Sequence, residues 1–289
     1  MSFEEVMPKV MQWSSAAEAL GALGAHVTLV QGGAAAPPEV ADALRAVVDA
    51  AGLAGVDQMP PQQQAMLTSL AKLYLHQALD LLEDPGRATG WTFTDPVILD
   101  GWGRGSMMVP PGIKSAHPDL AEITSLLDVG TGVGLLAVSA ANIWPAASVV
   151  GIDIWDPSLE RARANVAAAG LGDRITLRKQ ALTELSDTDA YDCAWVPTFF
   201  LTEADLEKAL PALVEALHPG GWIALGLMRP PPDPLAAAVF NLRTIRGGGC
   251  VLAATRAIEL LEAAGCASVH AAPPQPPAPL ELILGQRPI

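Results

Sequence analysis

Cysteine is scarce in this chain: Cys193, Cys250 and Cys266 are spread over 289 residues with no CxxC spacing. An odd number cannot all pair within one chain, so no disulfide scaffold is read, no metal site is expected, and a reducing compartment is implied. Basic charge is also short, with 17 Lys and Arg against 31 Asp and Glu and a formal net charge of −14. Such a balance repels nucleic acid and acidic membrane surfaces. Arg161, Arg163, Arg174, Arg178 and Lys179 lie close in sequence but read as the solvated faces of one helix and one strand. Long apolar runs are missing too. No stretch reaches the ~18 consecutive apolar residues of a membrane span, and Met1–Val10 mixes acidic, apolar and basic residues unlike a secretory leader. The expectation is a soluble, cytoplasmic protein with no nucleic-acid and no membrane partner.

What is present is enough chain for one large domain, or one ordinary domain with an appendage. Up to about Glu83 the pattern is helical. Val40, Ala43, Leu44, Val47 and Val48 have amphipathic spacing behind Pro37-Pro38, and a second helix runs from Gln62 to Leu82 before the turn residues Asp84-Pro85-Gly86. Arg87–His117 is irregular in pattern, rich in Gly, Pro, Trp and Met. From about Asp119 short apolar strands alternate with helices: Leu126–Val129, Val149–Asp153, Ile175–Lys179, Cys193–Val196, Trp222–Leu227, Ala267–His270 and Leu280–Leu284. Asp156-Pro157 reads as an N-cap with a first-turn proline, Gly170 as a C-terminal glycine, and Thr202 with Asp205 as a capping box. The expected divisions are a helical cap, for substrate or dimerisation, over 1–84, a connection or lid over 85–118, and a ligand-binding domain over 119–289. Alternation of this kind means an α/β fold with a mostly parallel sheet and helices on both faces, and ligands bind at the carboxyl ends of such strands.

Leu126–Val129 runs straight into Gly130, Gly132 and Gly134, with Thr131 between, and a helix follows. Glycines here let backbone approach a ligand, and the new helix presents its N–H groups. Asp128 stands at the strand's end, able either to reach a ligand's ammonium group or to cap the turn. Asp153 ends the second strand, where a carboxylate accepts the two hydroxyls of a ribose or caps its own turn. The GxGxG spacing is not the GxGxxG of dinucleotide sites, and no Tyr-x-x-x-Lys pair accompanies it, both of which oppose the alternative of a nicotinamide-dependent oxidoreductase.

Leu126–Gly134, Asp153, Tyr191-Asp192 and Leu217-His218-Pro219-Gly220-Gly221 together resemble class I S-adenosylmethionine-dependent methyltransferases, over roughly Asp119–Ile289. The resemblance implies a Rossmann-like seven-stranded sheet whose last strand, Leu280–Gly285, runs antiparallel, with His218 in the loop before the fifth strand. It implies S-adenosyl-L-methionine as cofactor. Gly130, Thr131, Gly132 and Gly134 would hold the methionine portion with Asp128, Asp153 the ribose, and Ile154 and Trp155 the adenine. Gln180, Ala181 and Leu182 stand where the family often has Gly-Asp-Ala, so Gln180 or a backbone carbonyl takes the place of the familiar acid, and Leu182 packs on the ring. Trp195 and Val196 end the fourth strand, where methyl donor and acceptor meet. Trp195–Phe199 is superficially similar to the Asn-Pro-Pro-Tyr signature of amino-nitrogen methyltransferases but lacks its Asn. Arg104, upstream of the first strand, either pairs with the donor's carboxylate or is a solvated Arg on a flexible glycine loop.

An acceptor pocket is expected from Trp102, Met107, Pro197, Phe199 and Phe200, with Trp91, Phe93 and Met108 as further apolar wall, the alternative being that the aromatic and Met residues are core between domains or at the start of the next helix. Methyl transfer from a sulfonium is an in-line displacement, so positioning supplies most of the rate and a base is needed only where the acceptor must lose a proton. His117, His76 and the Thr198 hydroxyl are the candidates for that role, with His26 the remaining histidine outside the strand-bearing region. The reading is a methyltransferase for a small apolar organic acceptor of secondary metabolism, at O, N or C, with a homodimer formed through the helical region. A protein that binds the donor without transferring its methyl is the other alternative.

Overall fold

The computed structural model describes residues 1–273 and 280–289. By its internal contacts the chain divides into two units, Met1–Gly86 with Asp95–Gly105, and Arg87–Thr94 with Ser106–Ile289.

The larger unit holds seven strands: β1 Ser125–Val129, β2 Ser148–Asp153, β3 Ile175–Lys179, β4 Tyr191–Pro197, β5 Leu217–Met228, β6 Ala267–Ala271 and β7 Leu280–Gln286. Their order is β3-β2-β1-β4-β5-β7-β6, and β7 runs antiparallel to both of its neighbours. Alternate residues point to opposite faces of a sheet, and here both faces are covered. Leu126, Val149, Cys193, Trp195 and Trp222 enter one apolar cluster; Leu127, Ile152, Ala194, Val196 and Leu225 enter the other. That is why these strands read as unbroken apolar runs. Helices at Val109–Ala116 and Leu135–Ile143 supply the first cluster, and those at Glu203–Ala216 and Ala254–Ala263 the second. The chain leaves β1 for β2 and β3, then returns to β4 on the other side of β1. A crevice therefore opens at the carboxyl ends of β1 and β4, the topological switch point.

The smaller unit is helical, with α1 Phe3–Val30, α2 Pro38–Ala50, α3 Pro61–Glu83 and α4 Pro96–Ser106, the last reaching one residue past the division. Val27, Val48 and Val56 form its core with Leu23, Met59 and Leu67, and α1 passes close to α3 where a Cβ on Gly24 would lie 3.3 Å from that of Ala71. The buried His26 places Nε2 2.7 Å from Asp57 Oδ1, while Arg45 donates to the other oxygen of that carboxylate at 2.8 Å.

Three local expectations are corrected. The stretch Arg87–His117, irregular in sequence, carries α4 and α5 (Val109–Ala116). Its prolines sit in first turns, where a missing N–H costs nothing, Asp95 Oδ1 caps Val97 N at 2.8 Å, and Gly101 lets α4 approach Leu73, whose Cβ would lie 3.0 Å from a Cβ added there. Leu217–Gly221, expected as a loop holding His218, is the start of β5. The register runs Tyr191↔Leu217 and then Cys193↔Trp222, so residues 218–221 bulge out of β5 opposite Asp192, and a Cβ on Gly221 would meet Tyr191 O at 3.0 Å. Asp156 is not an N-cap. It is the first residue of the helix Asp156–Ala168 (here α7, after α6 at Leu135–Ile143), Trp155 stands at the cap, and the Asp156 carboxylate pairs with Lys179 at 2.5 Å. Thr202 does cap its helix, accepting from Asp205 N at 3.1 Å.

Candidate functional site

β1 delivers Asp128 to its carboxyl end, and the following turn is built from left-handed residues, with φ of 64° at Gly130, 55° at Gly132 and 75° at Gly134. L side chains are strained in that region, so this backbone needs glycine at alternate positions. Gly134 caps α6 and lies so close to α7 that its Cβ would be 3.0 Å from that of Ala162. Thr131 folds back over β2. Its N–H donates to Ile152 O at 3.0 Å and its Oγ1 to Asp128 Oδ2 at 2.7 Å. Space for it exists because β2 has Gly151, where a Cβ would come within 2.6 Å of Thr131 Oγ1.

Two carboxyl groups face this turn. Asp128 is 1% exposed, and its Oδ1 has no hydrogen-bond partner. Burial pushes its pKa up to about 7; the Thr131 hydrogen bond opposes that rise and the neighbouring Asp153 charge adds to it. Asp153 Oδ2 accepts from Gly132 N at 2.8 Å and its Oδ1 from Trp155 N at 2.8 Å. Burial raises its pKa as well, against those backbone bonds. A buried, unsatisfied acid oxygen beside a second carboxylate is costly by itself and is relieved by a cationic group or by hydroxyl donors.

Around this pair the third strand ends in Gln180, whose N–H donates to Asp153 O at 3.0 Å and whose carboxamide donates to Glu184 O at 3.1 Å. Ala181 precedes a short 3-10 turn, Leu182–Glu184, in which Leu182 is buried. Ile154 is 63% exposed, and Trp155 donates its indole N–H to Phe93 O at 2.8 Å. Pro197 stands beside the glycine turn, 3.6 Å from where a Gly130 Cβ would be. Trp195 and Val196 are buried on opposite faces of the sheet; the Trp195 ring fills the space over Gly226, where a Cβ would sit 2.0 Å from Cη2. Phe199 and Phe200, in a 3-10 turn after β4, are part of an aromatic group: Phe199–Phe200 ring centroids are 4.7 Å apart, Phe200–Trp91 5.0 Å and Trp91–Phe93 5.2 Å.

The residues named as proton acceptors are not gathered here. Thr198 is buried and donates its hydroxyl to Gly226 O at 2.9 Å. His117 precedes Pro118–Leu120, accepts from Asp119 N at 3.2 Å, and packs on Trp222 with ring centroids 4.3 Å apart. Through the register Leu126↔Cys193↔Trp222 that position is level with Leu126, before Asp128 along the strands. His76 belongs to the helical unit, with Nδ1 2.5 Å from Asp95 Oδ2. Trp102 and Arg104 are in α4 of that same unit, and Met107 is 39% exposed with its carbonyl accepting from Ser139 at 2.9 Å. Sequence reading passed over Gly151 and Gly226, although a glycine inside an apolar strand signals a close approach of this kind.

Residues 126–221 match the family described as methyltransferase domain. Whole-chain structural likenesses agree: an O-methyltransferase family protein from Burkholderia thailandensis (TM-score 0.69, 16% identity, 100% of this chain and 98% of that one) and human N-acetylserotonin methyltransferase in complex with SAM (TM-score 0.67, 14% identity, 100% of both). Residues 126–221 are thus similar to a methyltransferase domain, and the chain as a whole shares the fold of these two structures. Among curated proteins it is 36% identical over 117 residues to demethylmenaquinone methyltransferase of Thermus thermophilus, covering 40% of this chain and 53% of that protein. It is 43% identical over 104 residues to ribosomal protein uL3 glutamine methyltransferase of Bordetella pertussis, covering 36% and 35%. The matches therefore span about half and about a third of those two relatives.

Proposed function

We propose that the protein binds S-adenosyl-L-methionine at the β1 turn and transfers its methyl group to a small, apolar organic acceptor. The observation that carries the donor assignment is the unsatisfied Asp128 Oδ1, buried beside Asp153 at the glycine turn. When bound, the sulfonium supplies an activated methyl for in-line displacement. Asp128 with the Gly130–Gly134 backbone holds the cationic amino-acid end, and Asp153 accepts from the ribose hydroxyls through lone pairs that its two backbone bonds leave available. Gln180 and Leu182 border the adenine side together with Ile154 and Trp155. Isothermal titration with S-adenosylhomocysteine tests the assignment; absence of binding defeats it.

A small acceptor is supported by the aromatic group Trp91, Phe93, Phe199 and Phe200 after β4 and by the net charge of −14, which opposes RNA. Likeness over the full chain is to an O-methyltransferase family protein, whereas the glutamine methyltransferase matches over about a third of the chain. We assign acceptor selection to the helical region 1–84 and the connection 85–118, and leave methylation at O, N or C to an acceptor screen read by S-adenosylhomocysteine release. Three free cysteines support a cytoplasmic setting, and among the described residues no helix is long and apolar enough to cross a membrane.

A homodimer through α1 is part of this reading. Phe3, Val6, Val10, Trp13, Ala17, Leu20, Gly24 and Val27 repeat at alternating steps of three and four residues, the spacing of a helix–helix seam. The later members pack within their own unit; Phe3 and Trp13 are 76% and 49% exposed. A second copy of the same stripe is the occupant this pattern suits.

A further inference from the structure

Residues Arg87–Thr94 belong to the sheet-bearing unit although they precede its first strand by some thirty positions, and they form neither helix nor strand. Three contacts tie them down, each to a different element at the carboxyl side of the sheet. Gly90 N donates to Arg246 O at 3.1 Å, at the end of the helix Pro234–Arg246, and a Cβ on Gly248 would lie 2.8 Å from Gly90 Cα. Trp91 packs edge-on to Phe200, after β4. Phe93 O accepts the indole N–H of Trp155, after β2, at 2.8 Å. Since β1 lies between β4 and β2, a chain anchored at both crosses the end of β1, where Asp128 and the glycine turn are.

The segment is also braced from within. Arg87 donates to Gly90 O at 3.1 Å and to Thr92 Oγ1, and its guanidinium stacks 4.3 Å from the centroid of the Phe93 ring. Trp155 joins this braced strap to the donor site through two separate donors: its backbone N–H goes to Asp153 Oδ1 and its indole N–H to Phe93 O. We infer that Arg87–Thr94 is a strap across the donor turn and that Trp155 is its clasp, a positioning residue through which donor binding at Asp153 orders the aromatic wall Trp91–Phe93. Donor and acceptor sites are then coupled, because a ligand that immobilises Asp153 immobilises the cap residue bonded to it, and with it the strap. This inference rests on the donor assignment above.

Hydrogen exchange of the peptide spanning 87–94, with S-adenosylhomocysteine as the probe, tests it on the full chain. In the wild type the probe slows exchange there by roughly threefold to tenfold, the factor one net hydrogen bond carries. Trp155→Phe keeps an aromatic ring and loses the indole N–H together with the fused five-membered ring. Compared with wild type at probe concentrations that saturate each protein by calorimetry, it loses the protection of 87–94. Arg87→Ala, which leaves Trp155 and both carboxylates in the chain, speeds exchange of the strap with and without probe. Equal protection in Trp155→Phe and wild type overturns the clasp, unchanged exchange in Arg87→Ala overturns the braced strap, and probe binding that leaves wild-type exchange of 87–94 unaltered overturns the coupling while the donor assignment stands. No binding of the probe by the wild type overturns both.

Discussion

Thr131 occupies the place that a side chain at residue 151 would take: an added Cβ on Gly151 would come within 2.6 Å of Thr131 Oγ1 and within 2.9 Å of its Cβ. The hydroxyl so placed makes the hydrogen bond to Asp128 Oδ2, so a glycine in one strand decides the surroundings of an acid in the next.

Gly151→Ala therefore forces Thr131 out of position. Overpacking of this sort costs about 1–3 kcal/mol, and chemical denaturation should show a loss in that range. S-adenosylhomocysteine affinity should fall with it, whereas Gly172→Ala, with nothing near its Cβ, should change neither.

Asp153→Ala should weaken S-adenosylmethionine binding by about 1–3 kcal/mol, the cost of removing a charged hydrogen-bond partner. Titration calorimetry reads it directly. Unchanged affinity would remove the ribose from this carboxylate.

Asp128 should make both stability and binding depend on pH. Its pKa is about 7 in the folded protein against 3.8 as a free side chain, so between those values the folded state holds a proton that the unfolded state has lost. Stability without ligand accordingly falls as pH rises from about 4 to about 7, by a few kcal/mol at most, and Asp153, raised by the same burial, adds to the slope. A cationic donor prefers the ionised acid, so affinity should rise over the same interval and binding should release a proton below pH 7. Melting curves and calorimetry in buffers of different ionisation enthalpy check both, and Asp128→Asn should flatten the stability profile.

Val10→Asp combined with Trp13→Asp should convert a dimer to a monomer in sedimentation velocity without lowering the melting temperature of the sheet unit. Both positions are exposed within the chain, so the change removes apolar surface only from an interface with another copy. A wild-type monomer at micromolar concentration would defeat the assignment.

The central strands β1, β2 and β4 were legible because each is a short, mostly apolar run that a turn or 3-10 segment follows, and the glycines of 130–134 were legible because no other residue suits three left-handed positions in five. Helices α4 and α5 were hidden by the glycines and prolines that usually break helices. Here Asp95 caps the first, prolines take the permissive first turns, and Gly101 is required by the approach of Leu73. The early start of β5 was hidden because Leu217 pairs with Tyr191 ahead of a bulge at residues 218–221, whose Pro-Gly-Gly reads locally as a turn.

Local sequence by itself determined the alternation of strands and helices, the glycine turn after β1 and the two acids that end β1 and β2, since periodicity and backbone freedom act over a few residues. Tertiary structure alone decided that Thr131 packs on Gly151, that Asp128 loses water and keeps one oxygen without a partner, and that Trp155 reaches back to Phe93. Those outcomes depend on strand register and on segments 20 to 60 residues apart meeting in space, and burial, which sets the acid's proton affinity, is a property of the assembled fold.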